Sequence, residues 1–265
     1  MSHSSTDGSP GRAWAEQLAA WAIPEEILAQ APETPWGFPA RLFAASARPV
    51  DPDSISRRVA AEALGGGGSV IDVGCGGGAA GLALVPPATH LTGVDSSPEL
   101  LASFDADATA ARIPHLTVAG TWPDVAPRVE QADVVVCHHV VYNVAPIDSF
   151  VAALDDHARR RVVVELTEHH PLRATAPLWM RFWGLERPKG PTAEDFVAVV
   201  ESAGLKPSVA RRERPAHGAA DPEGRAALVR RQLCLPPERE GEVAAALAEL
   251  VPPTVTVVTV WWDPR

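Results

Sequence analysis

The chain has few cysteines, and their spacing fits neither a disulfide framework nor a zinc site. Cys75, Cys137 and Cys234 are an odd number, with no Cys-x-x-Cys pair among them. We predict reduced thiols, with Cys75 and Cys137 serving as small buried residues. Long apolar runs are also missing. No stretch of about twenty uncharged apolar residues is present to form a membrane-spanning helix.

Positive charge is scarce as well. Lys189 and Lys206 are the only lysines, and the formal net charge is −10 over 265 residues. This balance argues against a large phosphate-binding surface, so we expect neither a nucleic-acid nor a membrane partner. Residues 1–12 are rich in serine and glycine, which predicts a disordered tail and no secretory signal. Together with reduced thiols, this favours a cytoplasmic protein.

The most informative segment is 70–78, where an acid precedes a glycine-rich turn. Asp72 follows a short β-branched run, and the glycines of the pattern come next at Gly74, Gly76 and Gly78. This order predicts a buried parallel strand that enters a tight turn and opens a helix. Glycine lets the backbone approach a ligand closely, because a Cβ would stand in the way.

A second acid follows at the distance that a nucleotide-type cofactor requires. The apolar run 91–94 ends in Asp95, about twenty residues after the glycine turn. A doubly wound sheet places a carboxylate at this position to bind ribose hydroxyls. The two segments together predict a cofactor site at the carboxyl ends of the first two strands.

Two cofactor classes use this layout, and Asp72 separates them. Gly74-x-Gly76-x-x-Ala79 loosely fits a nicotinamide site, but there Asp72 would lie beside a negatively charged pyrophosphate. S-adenosylmethionine has no phosphate and carries a sulfonium and an ammonium, which an acid attracts. With Gly78 added, the segment resembles the first motif of the class I S-adenosylmethionine-dependent methyltransferases. The resemblance extends over about residues 55–170.

The alternation of strand and helix patterns predicts an α/β fold with a doubly wound, mainly parallel sheet. Strands are expected at 69–73, 90–95, 115–119, 133–137, 161–166, 207–213 and 254–261. The resemblance implies about seven strands, with the last one antiparallel beside the fifth. We expect a single domain, divided into a helical cap, a cofactor-binding core, an aromatic insertion and a C-terminal part, at 13–64, 65–170, 171–191 and 192–265.

Ligands of open α/β sheets bind outside the carboxyl ends of the strands, so the resemblance assigns cofactor contacts to the residues there. Thr121 takes the place where many relatives have an acid for the adenine amino group, and Trp122 offers either a flat face for adenine or a structural ring. The predicted cofactor-binding residues are Asp72, Gly74, Cys75, Gly76, Gly78, Asp95, Ser96, Thr121, Trp122 and His138.

Histidines near the fourth and fifth strands are the candidate catalytic groups. His139 and His169 could each accept a proton near neutral pH, and a purely structural histidine is the alternative for either. Glu165 interrupts the apolar fifth strand, so it should point into the cleft or have a partner. The spacing of these residues fits no zinc motif, and no metal is expected.

Aromatic residues cluster in the insertion, and with others they could line an apolar substrate pocket. The alternative is a secondary hydrophobic core between the cap and the sheet. The candidate pocket residues are Trp36, Phe38, Tyr142, Trp179 and Trp183.

The resemblance implies an S-adenosylmethionine-dependent methyltransferase that acts on a small molecule by in-line displacement. The Asn/Asp-Pro-Pro-Tyr/Phe motif of base-modifying relatives is absent after the fourth strand. Two alternatives remain: a non-catalytic S-adenosylmethionine-binding protein and a nicotinamide-dependent oxidoreductase. The acceptor and the oligomeric state do not follow from the sequence.

Overall fold

A seven-stranded sheet organises the chain. The computed structural model describes residues 8–36, 51–215, 222–250 and 254–265. The strand order is β3-β2-β1-β4-β5-β7-β6, with β1 to β5 parallel and β7 antiparallel to both β5 and β6. The strands are β1 Gly68–Val73, β2 Ala88–Asp95, β3 His115–Ala119, β4 Ala132–His138, β5 Ala158–Thr167, β6 Ser208–Pro215 and β7 Thr254–Trp262. The predicted fold class and the antiparallel last strand are confirmed.

Helices flank the sheet on both faces. They are α1 Pro10–Ala19, α2 Glu25–Leu28, α3 Ile55–Leu64, α4 Ala79–Leu82, α5 Pro98–Ala110, α6 Ile147–His157, α7 Ala176–Trp183, α8 Ala193–Ser202, α9 Pro222–Gln232 and α10 Glu240–Glu249. α7 lies in the segment predicted only as an aromatic insertion, and Gly184 ends it in the left-handed conformation. The helix predicted around 39–45 lies outside the described residues.

Two apolar layers cover the two faces of the sheet. One contains α1, α6 and α8, where Trp14 packs edge to face on Phe196 and its indole N–H donates to the Val144 carbonyl. The other contains α3 and α5. Because side chains alternate along a strand, Asp72, His138 and Glu165 point to the α3 face, as do the buried Val70, Val136 and Val163.

A third, smaller cluster joins the short helix α2 to α7, α9 and α10. Ile27 of α2 packs there with Leu178 and Trp179 of α7. No helix of the described residues is long and apolar enough to cross a membrane.

Candidate active site

The glycine turn after β1 packs against the segment after β4. Gly74 and Cys75 both donate their backbone N–H to the Val94 carbonyl, at 2.8 and 3.0 Å. Gly74 has a φ of +67°, and a Cβ there would lie 2.3 Å from Cγ2 of Val140. Only glycine therefore fits this position. The turn and the residues that follow β4 form one wall of the carboxyl edge of the sheet.

Asp72 is a buried carboxylate with little to compensate its charge. It is 1% exposed, and its Oδ2 accepts a hydrogen bond from the Gly81 backbone N–H at 2.8 Å. Burial raises the pKa of Asp72 to about 7; the Gly81 hydrogen bond opposes this shift, and the neighbouring Asp95 carboxylate adds to it. The charged group that acts on Asp72 is thus a second anion. A cation beside it would be strongly favoured.

Asp95 organises the backbone of the cofactor edge. Its Oδ2 accepts from the Gly76 N–H and its Oδ1 from the Ser97 N–H, both at 2.9 Å. Ser97 is also the N-cap of α5, because its hydroxyl accepts from the Leu100 N–H. Asp95 therefore fixes the glycine turn relative to β2, and each oxygen retains a lone pair for a further donor. Ser96, beside it, is exposed.

The residues after β3 divide into one exposed residue and one core residue. Thr121 is exposed. Trp122 is 4% exposed and packs edge to face on His157, with ring centroids 4.9 Å apart. Its indole belongs to the core beneath α6, which is the structural alternative of the sequence interpretation. The ring presents no open face for adenine.

Two histidines and an acid meet at the ends of β4 and β5. His138 and Glu165 are directly paired in the parallel register. Nε2 of His139 lies 3.2 Å from Oε1 of Glu165, and the His139 backbone N–H donates to the Glu165 carbonyl at 2.7 Å. His139 has a φ of +60°, a conformation that is unusual for a residue with a side chain.

Ser56 of α3 completes this cluster. Its hydroxyl donates to Oε2 of Glu165 at 2.5 Å, and the Ser54 and Ser56 hydroxyls are 2.9 Å apart. Burial raises the pKa of Glu165, but His138, His139 and the hydrogen bonds from His139 and Ser56 together hold it well below its ordinary value. The sequence signalled that Glu165 needs a partner, but not that Ser56 supplies one.

The second candidate base lies elsewhere. His169 is exposed, and its backbone pairs with that of Thr192. Its neighbour His170 is buried and stacks on Trp21, with ring centroids 4.3 Å apart. Burial and the nearby Arg187 cation lower the pKa of His170 to about 4. Of the candidate bases, His139 is the one that contacts a buried carboxylate.

The candidate pocket aromatics are mostly packing residues. Tyr142 is 7% exposed, and its hydroxyl forms hydrogen bonds with the Thr167 hydroxyl and the Thr167 backbone N–H. Trp179 is 4% exposed and lies under the Arg187 guanidinium. The Trp183 indole donates to a backbone carbonyl at 2.7 Å.

Trp36 differs from these residues because it is 54% exposed. Phe38 lies outside the described residues. Trp179 and Trp183 pack in the third cluster with α9 and α10, which is the secondary-core alternative. Within the described ranges, no group of three or more histidine, cysteine, aspartate or glutamate side chains is arranged to hold a metal ion.

A protein-family model and several solved structures are similar to parts of this chain. Residues 71–164 match a family model for a methyltransferase domain. The YcgJ protein of Bacillus subtilis has a similar structure, with a TM-score of 0.56 at 14% identity, covering 79% of this chain and 98% of that one. Magnesium protoporphyrin IX methyltransferase of Synechocystis PCC 6803, solved with bound SAH, gives 0.51 at 15% identity, covering 80% and 81%. No curated protein sequence matches significantly.

Proposed function

We propose that the chain transfers a methyl group from S-adenosylmethionine to a small-molecule acceptor, because residues 71–164 match a methyltransferase-domain family model and lie in a sheet of order β3-β2-β1-β4-β5-β7-β6. The observation that carries the choice of cofactor is Asp72. A buried carboxylate whose pKa is raised to about 7 beside a second carboxylate suits a cationic ligand.

The residues at this edge of the sheet fit S-adenosylmethionine better than a nicotinamide. Asp72 would attract the ammonium and sulfonium groups, but it would repel a pyrophosphate beside the glycine turn. The strand order supports the same choice, because the doubly wound dinucleotide fold ends in a parallel sixth strand. Here the antiparallel β7 lies between β5 and β6.

We assign the remaining contacts by position. Asp95 would accept hydrogen bonds from the ribose hydroxyls while it holds the glycine turn. The backbone of the turn at Gly74, Cys75, Gly76 and Gly78 would approach the cofactor closely. Ser96 and Thr121 lie after β2 and β3, and His138 is the last residue of β4, at the same edge. We leave Trp122 out because its ring is in the core.

When bound, S-adenosylmethionine supplies a methyl group that is already activated for displacement. The task of the protein is therefore to hold the acceptor atom in line with the methyl group, about 3–3.5 Å from it, and to exclude water. A base is needed only for an acceptor that arrives with a proton on its nucleophilic atom, and His139 is the candidate. The low positive charge of the chain favours a small acceptor over a nucleic acid.

Calorimetry with Asp72→Asn tests the proposal. The substitution keeps the size of the side chain and an acceptor for the Gly81 N–H, but it removes the charge. We expect the affinity for S-adenosylmethionine to fall about a hundredfold, the equivalent of one charge-assisted contact. Asp124→Asn, at an exposed acid on the loop after β3, is the matched control and should bind as the unchanged protein does.

Three results would each contradict a part of the proposed function. Equal affinity in Asp72→Asn and the unchanged protein would make Asp72 a structural residue. Binding of NAD in place of S-adenosylmethionine would overturn the methyltransferase proposal itself. If S-adenosylmethionine binds but no acceptor in a broad screen is methylated, the chain is a non-catalytic binding protein.

A further inference from the structure

We propose that Glu165 is a positioning residue that fixes the His139 ring so that its Nδ1 atom accepts the proton of the methyl acceptor, with Ser56 of α3 holding Glu165 in place. The inference rests on the proposed methyl transfer, and it assigns a role to two residues outside the cofactor site. The contact between Glu165 and His139 carries it.

The geometry selects one ring nitrogen. Nε2 of His139 faces Oε1 of Glu165 at 3.2 Å, and a carboxylate only accepts hydrogen bonds. This contact favours the neutral tautomer that has its proton on Nε2, which leaves Nδ1 as the basic atom. The second oxygen of Glu165, Oε2, accepts a hydrogen bond from the Ser56 hydroxyl. Both carboxylate oxygens therefore have a contact, which keeps the carboxylate oriented toward the His139 ring.

The backbone reinforces this placement. His139 donates its N–H to the Glu165 carbonyl, and its φ of +60° is one that a residue with a side chain adopts at some cost. Such conformations persist where the surroundings hold them, and they are frequent at active sites. Val140, the next residue, packs on Gly74 of the glycine turn. The ring of His139 thus belongs to the segment that touches the proposed cofactor cradle.

The His139–Glu165 pair lies at the boundary between the core and the solvent. The side chain of His139 is 25% exposed and that of Glu165 is 15% exposed, so the pair is shielded without being sealed. The groups around Glu165 include His138 at the end of β4, His139 and Tyr142 in the segment after β4, the uncharged Ser56 on α3 and Thr259 opposite it on β7. An imidazolium formed at His139 would have a carboxylate partner already in contact.

The proposed step is balanced. The acceptor atom forms a bond to the methyl carbon, and the carbon–sulfur bond breaks with its electron pair going to sulfur. The proton on the acceptor atom moves to Nδ1 of His139. The products are the methylated acceptor, S-adenosylhomocysteine and an imidazolium that faces Glu165. The acceptor class is therefore a hydroxyl, a thiol or an ammonium, each of which must lose a proton.

Long-range ¹H–¹⁵N spectra of the full chain test the inference without a known acceptor, because they report which ring nitrogen carries the proton. Spectra are recorded at about pH 8, where an ordinary histidine is neutral, and His139→Gln assigns the signal. We expect a single tautomer with the proton on Nε2. In Glu165→Met, which removes both acceptor oxygens at similar size, the signal should become that of a tautomer mixture. Glu165→Gln, which keeps one acceptor, should restore the single tautomer.

Glu168→Met is the matched control. Glu168 follows β5 and pairs with Arg211 at 2.9 Å, so its loss should leave the His139 signal unchanged. A proton on Nδ1 in the unchanged protein would overturn the inference even if Glu165→Met does not fold. An unaltered His139 tautomer in a folded Glu165→Met would overturn it as well. Calorimetry on the same samples separates the two proposals, because only failure of the unchanged protein to bind S-adenosylmethionine counts against the proposed function.

Discussion

Two acids at the same edge of the sheet, the buried Asp72 and the partly buried Glu165, have opposite environments. Asp72 on β1 and Glu165 on β5 both interrupt apolar strands and both point to the α3 face. Burial raises the pKa of each, but only Glu165 has histidine and hydroxyl partners that reverse the effect. Asp72, at the carboxyl end of β1, therefore lacks a cationic partner, which a ligand can supply. Glu165, near the carboxyl end of β5, already has its partners within the protein. The first arrangement suits binding, and the second suits moving a proton.

The largest effect should come from removing Glu165. Glu165→Met leaves the Ser56 hydroxyl and the His139 ring without their buried acceptor, and such losses cost about 3 kcal/mol together. We expect the free energy of unfolding to fall by this amount at pH 8, measured by urea denaturation.

Glu165→Gln sharpens this prediction because it separates charge from hydrogen bonding. Its free energy of unfolding should fall less than that of Glu165→Met. The folded-state pKa of Glu165 is lowered, so its contribution to stability is present above its ordinary value of 4.5 and is lost as the pH falls below it. The deficit of Glu165→Gln should accordingly shrink in acid. A deficit that grows in acid would contradict the description of Glu165 as a paired carboxylate.

Asp72→Asn should have the opposite effect on stability. The folded-state pKa of Asp72 is raised, so its contribution is greatest below its ordinary value of 3.8 and is lost as the pH rises to about 7. The variant should be more stable than the unchanged protein above pH 7, because the neutral amide has no charge that burial penalises. Denaturation at pH 4, where the gap should close, is the internal control. A destabilised Asp72→Asn at pH 8 would break the comparison.

The residues of the proposed cofactor site could be grouped from the sequence because they are close in the chain. Asp72 and the glycine turn lie within one segment, and Asp95 follows at the spacing of a strand–helix–strand unit. Their meeting is dictated by local geometry. The position of β7 between β5 and β6 came from the family resemblance, since periodicity identifies a strand but not its neighbours.

The contacts of Glu165 depend on tertiary packing between distant segments, which local sequence patterns do not indicate. Ser56 and Glu165 are 109 residues apart, and nothing in the α3 segment marks Ser56 as a partner. The placement of the aromatic residues depends on tertiary packing in the same way. Trp122 follows β3 and Trp179 lies in α7, but composition does not say whether a ring faces a cleft or the core.

The smallest loss of folding stability should come from Ser56→Ala, which tests how far Glu165 depends on its hydrogen bond from helix α3. The substitution removes one hydrogen bond to Oε2 and leaves the His139 contact, so we expect a loss of about 1 kcal/mol. Ser54→Ala is the control, because it removes the α3 N-cap at a similar cost of about 1 kcal/mol and the contact with the Ser56 hydroxyl, but it keeps the hydrogen bond from Ser56 to Glu165. Only Ser56→Ala should raise the pKa of Glu165, as followed by ¹³C spectra of the carboxyl group. An equal response to both substitutions would mean that α3 acts on Glu165 through its overall position, and not through the Ser56 hydroxyl. Asp72, which has no such hydrogen bond from α3, should titrate unchanged in both variants, so the contrast between the two acids would persist.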